Sequence, residues 1–228
     1  MTPDPFFPAQ PFADRFPLRL FTKEDGELSC LQAAQGIGAA DFATLNQVHG
    51  NRTIVVRGGF DRTEEADGMI TDQTGLALIV RAADCQMFVV YDPEKNVIGT
   101  LHAGWRGLTG GAIPNFFSKM QSLWNTKTSS LYVFAGPSLC PDCAEFSRPH
   151  AELPNIDAKF IHDRHVDLRG EADRQLFEAG VLKNHFERHP DCTCCHPEKY
   201  WTWRGGDREA VKAGNVNLLA CTLLPVLR

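Results

Sequence analysis

Residues 86–102 read Gln86-Met-Phe-Val-Val-Tyr91, Asp92-Pro-Glu-Lys-Asn96 and Val97-Ile-Gly-Thr-Leu-His102, and this stretch decides the fold. Two apolar runs rich in β-branched residues flank a short cluster of turn-forming residues, which is the pattern of a β-hairpin. The sequence therefore predicts two antiparallel strands joined by a tight turn.

Further elements can be placed around this hairpin. A glycine-rich bend at 104–111 follows it, and apolar residues over 113–124 recur at helical spacing. Strands are predicted at 53–57, 75–81 and 131–135 and a second helix at 170–181, whereas 215–223 is left open between a strand and a short helix. These elements predict one α/β (α+β) domain over residues 1–228, with a mixed β-sheet flanked by helices. The proline-rich residues 1–15 are expected to form an extended N-terminal arm.

Composition and charge narrow the class of protein. The 228 residues are 43% hydrophobic and 22% charged, with a formal net charge of −5 and eight cysteines. Scattered basic residues form no patch for nucleic acid or an anionic membrane, and no apolar run reaches spanning length. Without a signal peptide, the cysteines are interpreted as free thiols or metal ligands, which predicts a reducing compartment, the cytoplasm.

The open end of the hairpin brings a thiol towards an imidazole. If the turn has five or six residues, Cys85 lies opposite His102 or its neighbour Ala103. Such a pair could provide two ligands of one metal or form a thiol–imidazole dyad. The alternative is a buried structural cysteine beside a core histidine whose hydrogen bonds are made within the protein. His49, in the polar loop Asn46-Gln-Val-His-Gly50, would complete a zinc site with one open position for catalysis.

Neighbouring residues are candidates for substrate and proton handling. Asp84 could orient a ligand or transfer a proton, or simply cap the strand. Gln47 could bind a substrate edge or remain an exposed amide. Arg106 and the adjacent glycines form a candidate anion cradle, and Trp105 could provide a stacking surface or fill the core.

Several motifs together resemble one known family. They are Asn46-Gln-Val-His-Gly50, Ala66-Asp-Gly-Met-Ile-Thr71, Ala83-Asp-Cys85, Leu101-His-Ala-Gly-Trp-Arg-Gly107 and Gly136-Pro-Ser-Leu139. The sequence is similar to the YfiH-like family, whose members were formerly described as laccase-like polyphenol oxidases. The similarity continues through Asp167-Leu168 and Cys192-Thr193 and so spans most of the chain.

This resemblance implies a fold, a cofactor and an activity. It implies a layered α/β sandwich that binds one zinc ion through His49, Cys85 and His102. The expected substrates are a purine nucleoside and phosphate. The expected activity is purine nucleoside phosphorylase, with adenosine deaminase and methylthioadenosine phosphorylase activity besides. Asp84, Cys85, His102 and Arg106 become the catalytic candidates, and Gln47, Trp105, Arg106 and Arg204 the substrate-binding candidates.

The chain departs from the family near its end. A Ser-His-Arg-Arg stretch followed by Gly-Arg is usual there, whereas this chain has Thr202-Trp-Arg-Gly205 and Gly214-Asn215. Of those basic residues only Arg204 remains, which leaves open a divergent zinc-binding member without turnover. A Cys–His thiol hydrolase or amidase is the other alternative. Copper is disfavoured because one His-Cys-His set offers too few imidazoles for a multicopper oxidase. A monomer or weak homodimer is expected.

A second set of thiols follows. Cys140-Pro-Asp-Cys143 and Cys192-Thr-Cys-Cys-His196 have the spacing of a structural zinc site built from Cys140, Cys143, Cys192, Cys194, Cys195 and His196. Parts of both segments coincide with family positions where thiols occur without a metal. That coincidence favours free thiols near the surface, with a disulfide forming on oxidation.

Overall fold

The computed structural model describes Phe12 and residues 14–225, and its regular elements form layers of strands and helices. Within this part the strands are β1 Leu18–Phe21, β2 Asp41–Asn46, β3 Thr53–Val55, β4 Phe60–Glu65, β5 Gly68–Thr71, β6 Leu76–Ala82, β7 Gln86–Asp92, β8 Val97–Ala103, β9 Tyr132–Ala135, β10 Ile161–His162, β11 His165–Val166, β12 Phe186–Arg188 and β13 Asn217–Cys221. The helices are α1 Cys30–Gly36, α2 Trp105–Thr109, α3 Ala112–Trp124, α4 Pro149–Glu152, α5 Leu168–Glu178 and α6 Arg208–Lys212.

Two β-sheets packed face to face form the middle of the molecule. The strand order is β1-β13-β6-β2-β4 in the five-stranded sheet and β12-β9-β7-β8-β5-β3 in the six-stranded sheet, and β10 pairs with β11 separately. From β7, Met87, Val89 and Tyr91 point into the core between the sheets. Phe88 and Val90 point to the opposite side and pack against α3 and α5. Because β7 is buried on both faces, its sequence is a nearly continuous apolar run.

Helices cover the outer faces of both sheets. α3 and α5 pack on the six-stranded sheet, and α1 packs on the five-stranded sheet. Within the latter, β2 runs parallel to β4 and β6, whereas β13 runs antiparallel to β6. The predicted single α/β (α+β) domain with mixed sheets flanked by helices is confirmed. The sheet layer is double because the face of β7 turned away from the helices is also apolar and needs a partner.

A short turn sets the register of the hairpin. β7 and β8 remain paired as far as Asp92 opposite Val97, so the turn is limited to residues 93–96. The carboxylate of Asp92 closes this turn by accepting the backbone N–H groups of Glu94 and Lys95, each at 3.0 Å. Because its side chain caps the turn, the backbone of Asp92 can itself remain paired with β8.

The shorter turn changes which residue lies opposite His102. That residue is Met87, and Cys85 precedes β7. The prediction that Cys85 lies opposite His102 or Ala103 is therefore wrong, because it assumed a longer loop. Cys85 lies just outside the paired residues, one position before Gln86, and its thiol reaches His102 from there.

The segment 215–223, which periodicity could not assign, forms β13 between β1 and β6. Leu219 and Cys221 face the core between the sheets, whereas Leu218 and Ala220 face α1. A strand that is apolar on both faces has no alternation in its sequence, which is why the pattern was ambiguous.

Most of the predicted N-terminal arm lies outside the described residues. Of residues 1–15, the structure describes Phe12, Asp14 and Arg15. The Phe12 ring lies 5.3 Å from the ring of Tyr91 and 4.9 Å from that of Tyr132, centroid to centroid. Within the described residues, no helix combines the length and the apolar character needed to cross a bilayer.

Candidate metal centre

His102 is the penultimate residue of the buried strand β8, and its imidazole is held in a fixed orientation. Its Nδ1 lies 2.8 Å from Oδ1 of Asp67, and the residue is only 2% exposed. A carboxylate on one ring nitrogen fixes the tautomer and leaves the other nitrogen, Nε2, for a second partner. That partner is the thiol of Cys85, which hydrogen-bonds to His102.

His49 is held by the same carboxylate through its backbone. Asp67 accepts the N–H groups of His49 at 2.9 Å and of Gly50 at 2.7 Å. His49 has a φ of 60°, in the left-handed region, so these bonds stabilise a turn that most residues avoid. Its ring lies edge-on to that of His102, with centroids 4.8 Å apart.

Cys85 completes the group. The ligand atoms of His49, Cys85 and His102 all lie within 4.8 Å of one another. Burial opposes ionisation of the thiol, yet hydrogen bonds from His102 and His49 lower the pKa of Cys85 to about 6. Burial likewise opposes protonation of His102, but hydrogen bonds to Asp67 and Cys85 raise its pKa to about 9. A thiolate beside imidazoles is therefore favoured near neutral pH.

The space between these side chains depends on Gly104. A Cβ atom at this position would lie 2.8 Å from Cδ2 of His49 and 3.1 Å from Sγ of Cys85. At these distances His49 and Cys85 would have to move away from their present positions. Two imidazole nitrogens and a thiolate are the mixed donors that zinc prefers, so the group fits a metal ion with one position left open.

The candidates around this group differ in what they contact. Asp84, with a φ of 90°, accepts hydrogen bonds from Oγ1 of Thr193 at 2.7 Å, Oγ1 of Thr202 at 2.6 Å and the N–H of Arg204 at 2.7 Å. Its carboxylate is thus used to anchor the segment 193–204. Gln47 donates to the carbonyl of Arg81 at 2.7 Å and accepts its N–H at 3.0 Å, which ties the His49 loop to β6.

A cavity of about 600 Å³ adjoins the His-Cys-His group and is lined by all of the predicted substrate-binding residues. The exposed guanidinium of Arg106 lies 4.1 Å above the ring of Trp105. Trp105 in turn packs edge-on against Phe146 at 6.0 Å. Arg204 donates to the carbonyl of Glu145 at 2.6 Å, and its guanidinium lies 5.5 Å over the ring of Phe146. Trp105 and Phe146, each with an arginine over its ring, therefore form one part of the wall.

Four of the six residues considered for a second site also converge. The sulfur atoms of Cys140, Cys143, Cys192 and Cys195 lie within 4.8 Å of one another. Cys194 and His196 do not belong to this group, and Nδ1 of His196 lies 3.3 Å from Glu198. Both the four-cysteine group and the His-Cys-His group could hold a metal ion.

Asp67 is the main site residue that the sequence did not assign. It lies within the motif at 66–71, where a polar residue directly precedes the buried strand β5. A carboxylate that is 1% exposed needs partners, and the nearby histidines are the natural ones. The sequence offered only one indication of this role, which is that Asp67 lies inside a motif that the resemblance had already identified. Thr193 and Thr202 carried no such signal.

The sequence has recognisable relatives. A model of the family described as multi-copper polyphenol oxidoreductase laccase matches residues 26–221. A purine nucleoside phosphorylase from Deinococcus radiodurans is 35% identical over 159 residues, covering 66% of this chain and 61% of that protein. An adenosine deaminase from an unknown prokaryotic organism is 27% identical over 188 residues, covering 74% of this chain and 71% of that protein. The chain thus matches less than two thirds of the Deinococcus protein's length.

The fold is also similar to a solved structure. The crystal structure of YfiH from Bacillus licheniformis matches with a TM-score of 0.72 at 22% identity, covering 84% of this chain and 78% of that one. A family model that covers most of the sequence and a shared fold point the same way: the chain belongs to the YfiH-like family, which is also described as multi-copper polyphenol oxidoreductase laccase.

Proposed function

We propose that this protein is a zinc-dependent purine nucleoside phosphorylase that also deaminates adenosine and cleaves methylthioadenosine. The observation that carries the proposal is the convergence of His49, Cys85 and His102 on the wall of a cavity that Trp105 and Phe146 also line. Cavities of this size accommodate small organic ligands. The activities named for the relatives from Deinococcus and the unknown prokaryote support the choice of a purine nucleoside as substrate.

His49, Cys85 and His102 would hold the zinc ion. When bound, zinc supplies Lewis-acid and water-activating chemistry. Asp67 keeps Nε2 of His102 directed to the metal by accepting the proton on Nδ1. Copper is not part of the proposal, although the family description names it, because this group has only two imidazoles.

Arg106 is the candidate for binding phosphate. Its guanidinium is exposed at the edge of the cavity and is stacked on Trp105, so its donors remain available to an anion. In phosphorolysis a phosphate oxygen forms a bond to the anomeric carbon of ribose. The bond from that carbon to the purine nitrogen breaks, and the departing base takes up a proton. Arg106 would hold the attacking phosphate in place for this exchange.

The remaining candidates would bind the base and shape the wall. Trp105 and Phe146 offer aromatic faces for a purine. Arg204 and Gln47 line the same cavity. Asp84 would act as a positioning residue, because its carboxylate already accepts three hydrogen bonds from the segment that carries Arg204. In deamination, water would replace the amino group at the purine C6 carbon, and ammonia would leave.

A second candidate function has support from one specific observation. The lowered pKa of Cys85, about 6, and the raised pKa of His102, about 9, describe a thiolate–imidazolium pair oriented by Asp67. A nucleophile, its base and an orienting carboxylate are the parts of a thiol hydrolase or amidase. In that case Cys85 would form a covalent acyl intermediate.

We further propose a cytoplasmic location and a monomer or weak homodimer that does not bind nucleic acid. Eight cysteines in a chain of this kind suit a reducing compartment, in which thiols remain available as metal ligands. The formal net charge of −5 is unfavourable for binding a polyanion.

One experiment tests the leading function. Zinc-loaded protein is incubated with adenosine, inosine, guanosine and methylthioadenosine, with and without phosphate, and the products are resolved by mass. We expect ribose phosphate and free base only when phosphate is present, and inosine from adenosine in either case. The Cys85→Ala variant is the control and should form neither. A lack of product from every nucleoside would disprove the proposal. Covalent trapping of Cys85 by an acyl electrophile would favour the thiol hydrolase.

A further inference from the structure

Two short cysteine turns lie side by side on the surface next to the pocket wall. In the first, residues 140–143, the N–H groups of Cys143 and Ala144 donate to the carbonyl of Cys140, each at 3.1 Å. In the second, residues 192–195, the N–H of His196 donates to the carbonyl of Cys192 at 3.2 Å. Each turn therefore projects two thiols separated by two residues, which is the unit from which cysteine-rich zinc sites are built.

The distances between the sulfur atoms suit a tetrahedron. Sγ of Cys195 lies 3.8 Å from Sγ of Cys140 and 3.6 Å from Sγ of Cys143. Four sulfurs at about 2.3 Å from a central zinc ion stand about 3.8 Å apart. A disulfide would need about 2.05 Å between two of them. The N–H of Cys140 also donates to Sγ of Cys192 at 3.2 Å, a bond that stabilises a thiolate.

A cation beside the turns offsets part of the charge that four thiolates would bring. Arg169 spans both segments: its Nε donates to Oγ of Ser138 at 3.2 Å and its Nη1 to the carbonyl of Pro190 at 3.0 Å. A zinc ion with four thiolates carries a net charge of about −2, which a neighbouring guanidinium stabilises. The carbonyl of Asp191 accepts another bond from Arg169 at 2.5 Å, just before Cys192.

We propose that Cys140, Cys143, Cys192 and Cys195 bind a second zinc ion, which is structural. Four protein ligands leave no position for water or substrate, so this ion takes no part in chemistry. It joins the two segments that hold Asp84. The N–H of Leu139 donates to the carbonyl of Asp84 at 3.2 Å, and Thr193 donates to its carboxylate at 2.7 Å. The ion therefore stabilises the backbone directly before Cys85 from outside the pocket.

The metal content of the whole protein tests the proposal. Protein purified under reducing conditions without added metal is analysed for zinc per chain by mass spectrometry. We expect two ions in the wild type, one in the double variant Cys143→Ser/Cys195→Ser and one in His49→Ala. Cys194→Ser is the matched control, because Cys194 lies between two of the ligands yet outside the group, and it should retain two. A wild type and a double variant with the same zinc content would overturn the proposal.

A second measurement needs no variant. Cys195 is exposed and Cys143 partly exposed, so iodoacetamide can reach both sulfur atoms and its rate of reaction can be compared before and after zinc is removed. We expect both to resist alkylation in the purified wild type and to react once a strong chelator has removed the zinc. An alkylation rate that the chelator leaves unchanged would contradict the second site. So would a mass deficit of two hydrogens at these cysteines that a phosphine reductant restores, because it would identify a disulfide.

Discussion

Oδ1 of Asp67 lies 2.8 Å from Nδ1 of His102 and also accepts the backbone N–H of His49 at 2.9 Å. One buried carboxylate therefore fixes the imidazole of His102 and the backbone of the loop that carries His49. Metal affinity and the position of the His49 loop are both expected to depend on Asp67.

The first prediction concerns this carboxylate. Asp67→Asn removes the negative charge that stabilises the Nδ1 proton of His102, so the zinc affinity should fall roughly 10- to 100-fold. Competition with a chromophoric chelator measures the loss. Asp72→Asn, at a partly exposed aspartate paired with Arg57, is a suitable control and should bind zinc like the wild type. An unchanged affinity in Asp67→Asn would show that the carboxylate does not tune the site.

Gly104 leads to the second prediction. In Gly104→Ala the new methyl group would lie 2.8 Å from the His49 ring and 3.1 Å from Cys85 Sγ, so the donors must move apart. Zinc affinity should fall roughly tenfold or more, as for other changes that displace ligands. Gly58→Ala is the matched control, because no atom lies within 4 Å of a Cβ built there. Calorimetric titration of metal-free protein with zinc distinguishes the two variants.

The third prediction is a pH dependence of the metal-free protein. The pKa of Cys85 is lowered to about 6 from an ordinary value of 9.0, so its thiolate should form as the pH rises through about 6. The alkylation rate of Cys85 should therefore reach half its maximum near that pH, and His102→Gln should shift the midpoint upwards. Zinc should suppress the reaction. A wild-type midpoint near the ordinary thiol value would disprove the thiolate.

The anchor of the pocket wall gives the fourth prediction. Thr202→Val removes a hydrogen bond to the buried carboxylate of Asp84, and losses of this kind cost about 1.5–3 kcal/mol of unfolding free energy. Urea unfolding measures the change. Thr63→Val, on the exposed strand β4, should stay within about 0.5 kcal/mol of the wild type. Equal stabilities of the two variants would mean that the Asp84 network contributes little.

Arg106 provides the fifth prediction, which rests on the proposed phosphorylase activity. Arg106→Ala should raise the KM for phosphate about tenfold or more, because a guanidinium–phosphate contact is lost. Arg106→Lys should recover part of the affinity, whereas the KM for the nucleoside should change little. Initial rates at varied phosphate measure both constants. An unaltered KM for phosphate would mean that another residue binds the phosphate.

Local patterns in the sequence were sufficient to predict several of these features. The two apolar runs at 86–92 and 97–103 and the turn residues between them specify the hairpin, and the helical spacing over 113–124 specifies α3. His49, Cys85 and His102 were predicted to converge from chemistry, register and resemblance, and their ligand atoms do lie within 4.8 Å of one another. The register was wrong by one or two residues because Asp92 remains paired while its side chain closes the turn.

Other features depend on contacts that no local pattern encodes. Residues 60–65 form an edge strand with mostly exposed polar side chains, so β4 has no apolar signal. Asp84 is bound by Thr193 and Thr202, which follow it by 109 and 118 residues. The four-cysteine group likewise joins segments about fifty positions apart. Such contacts are set by the packing of the two sheets and not by the spacing of residues along the sequence.

The position of β13 has a consequence for the order of folding. This strand lies between β1 and β6, and its Cys221 pairs with Leu18. Among the described residues β1 pairs in the sheet with β13 alone, which is synthesised about two hundred residues later, so the nascent chain must wait for β13 before that sheet can close. Pairing over such a separation slows folding and leaves an apolar strand edge uncovered in the meantime. Ribosome-bound chains that lack β13 should therefore be protease-sensitive and dependent on chaperones.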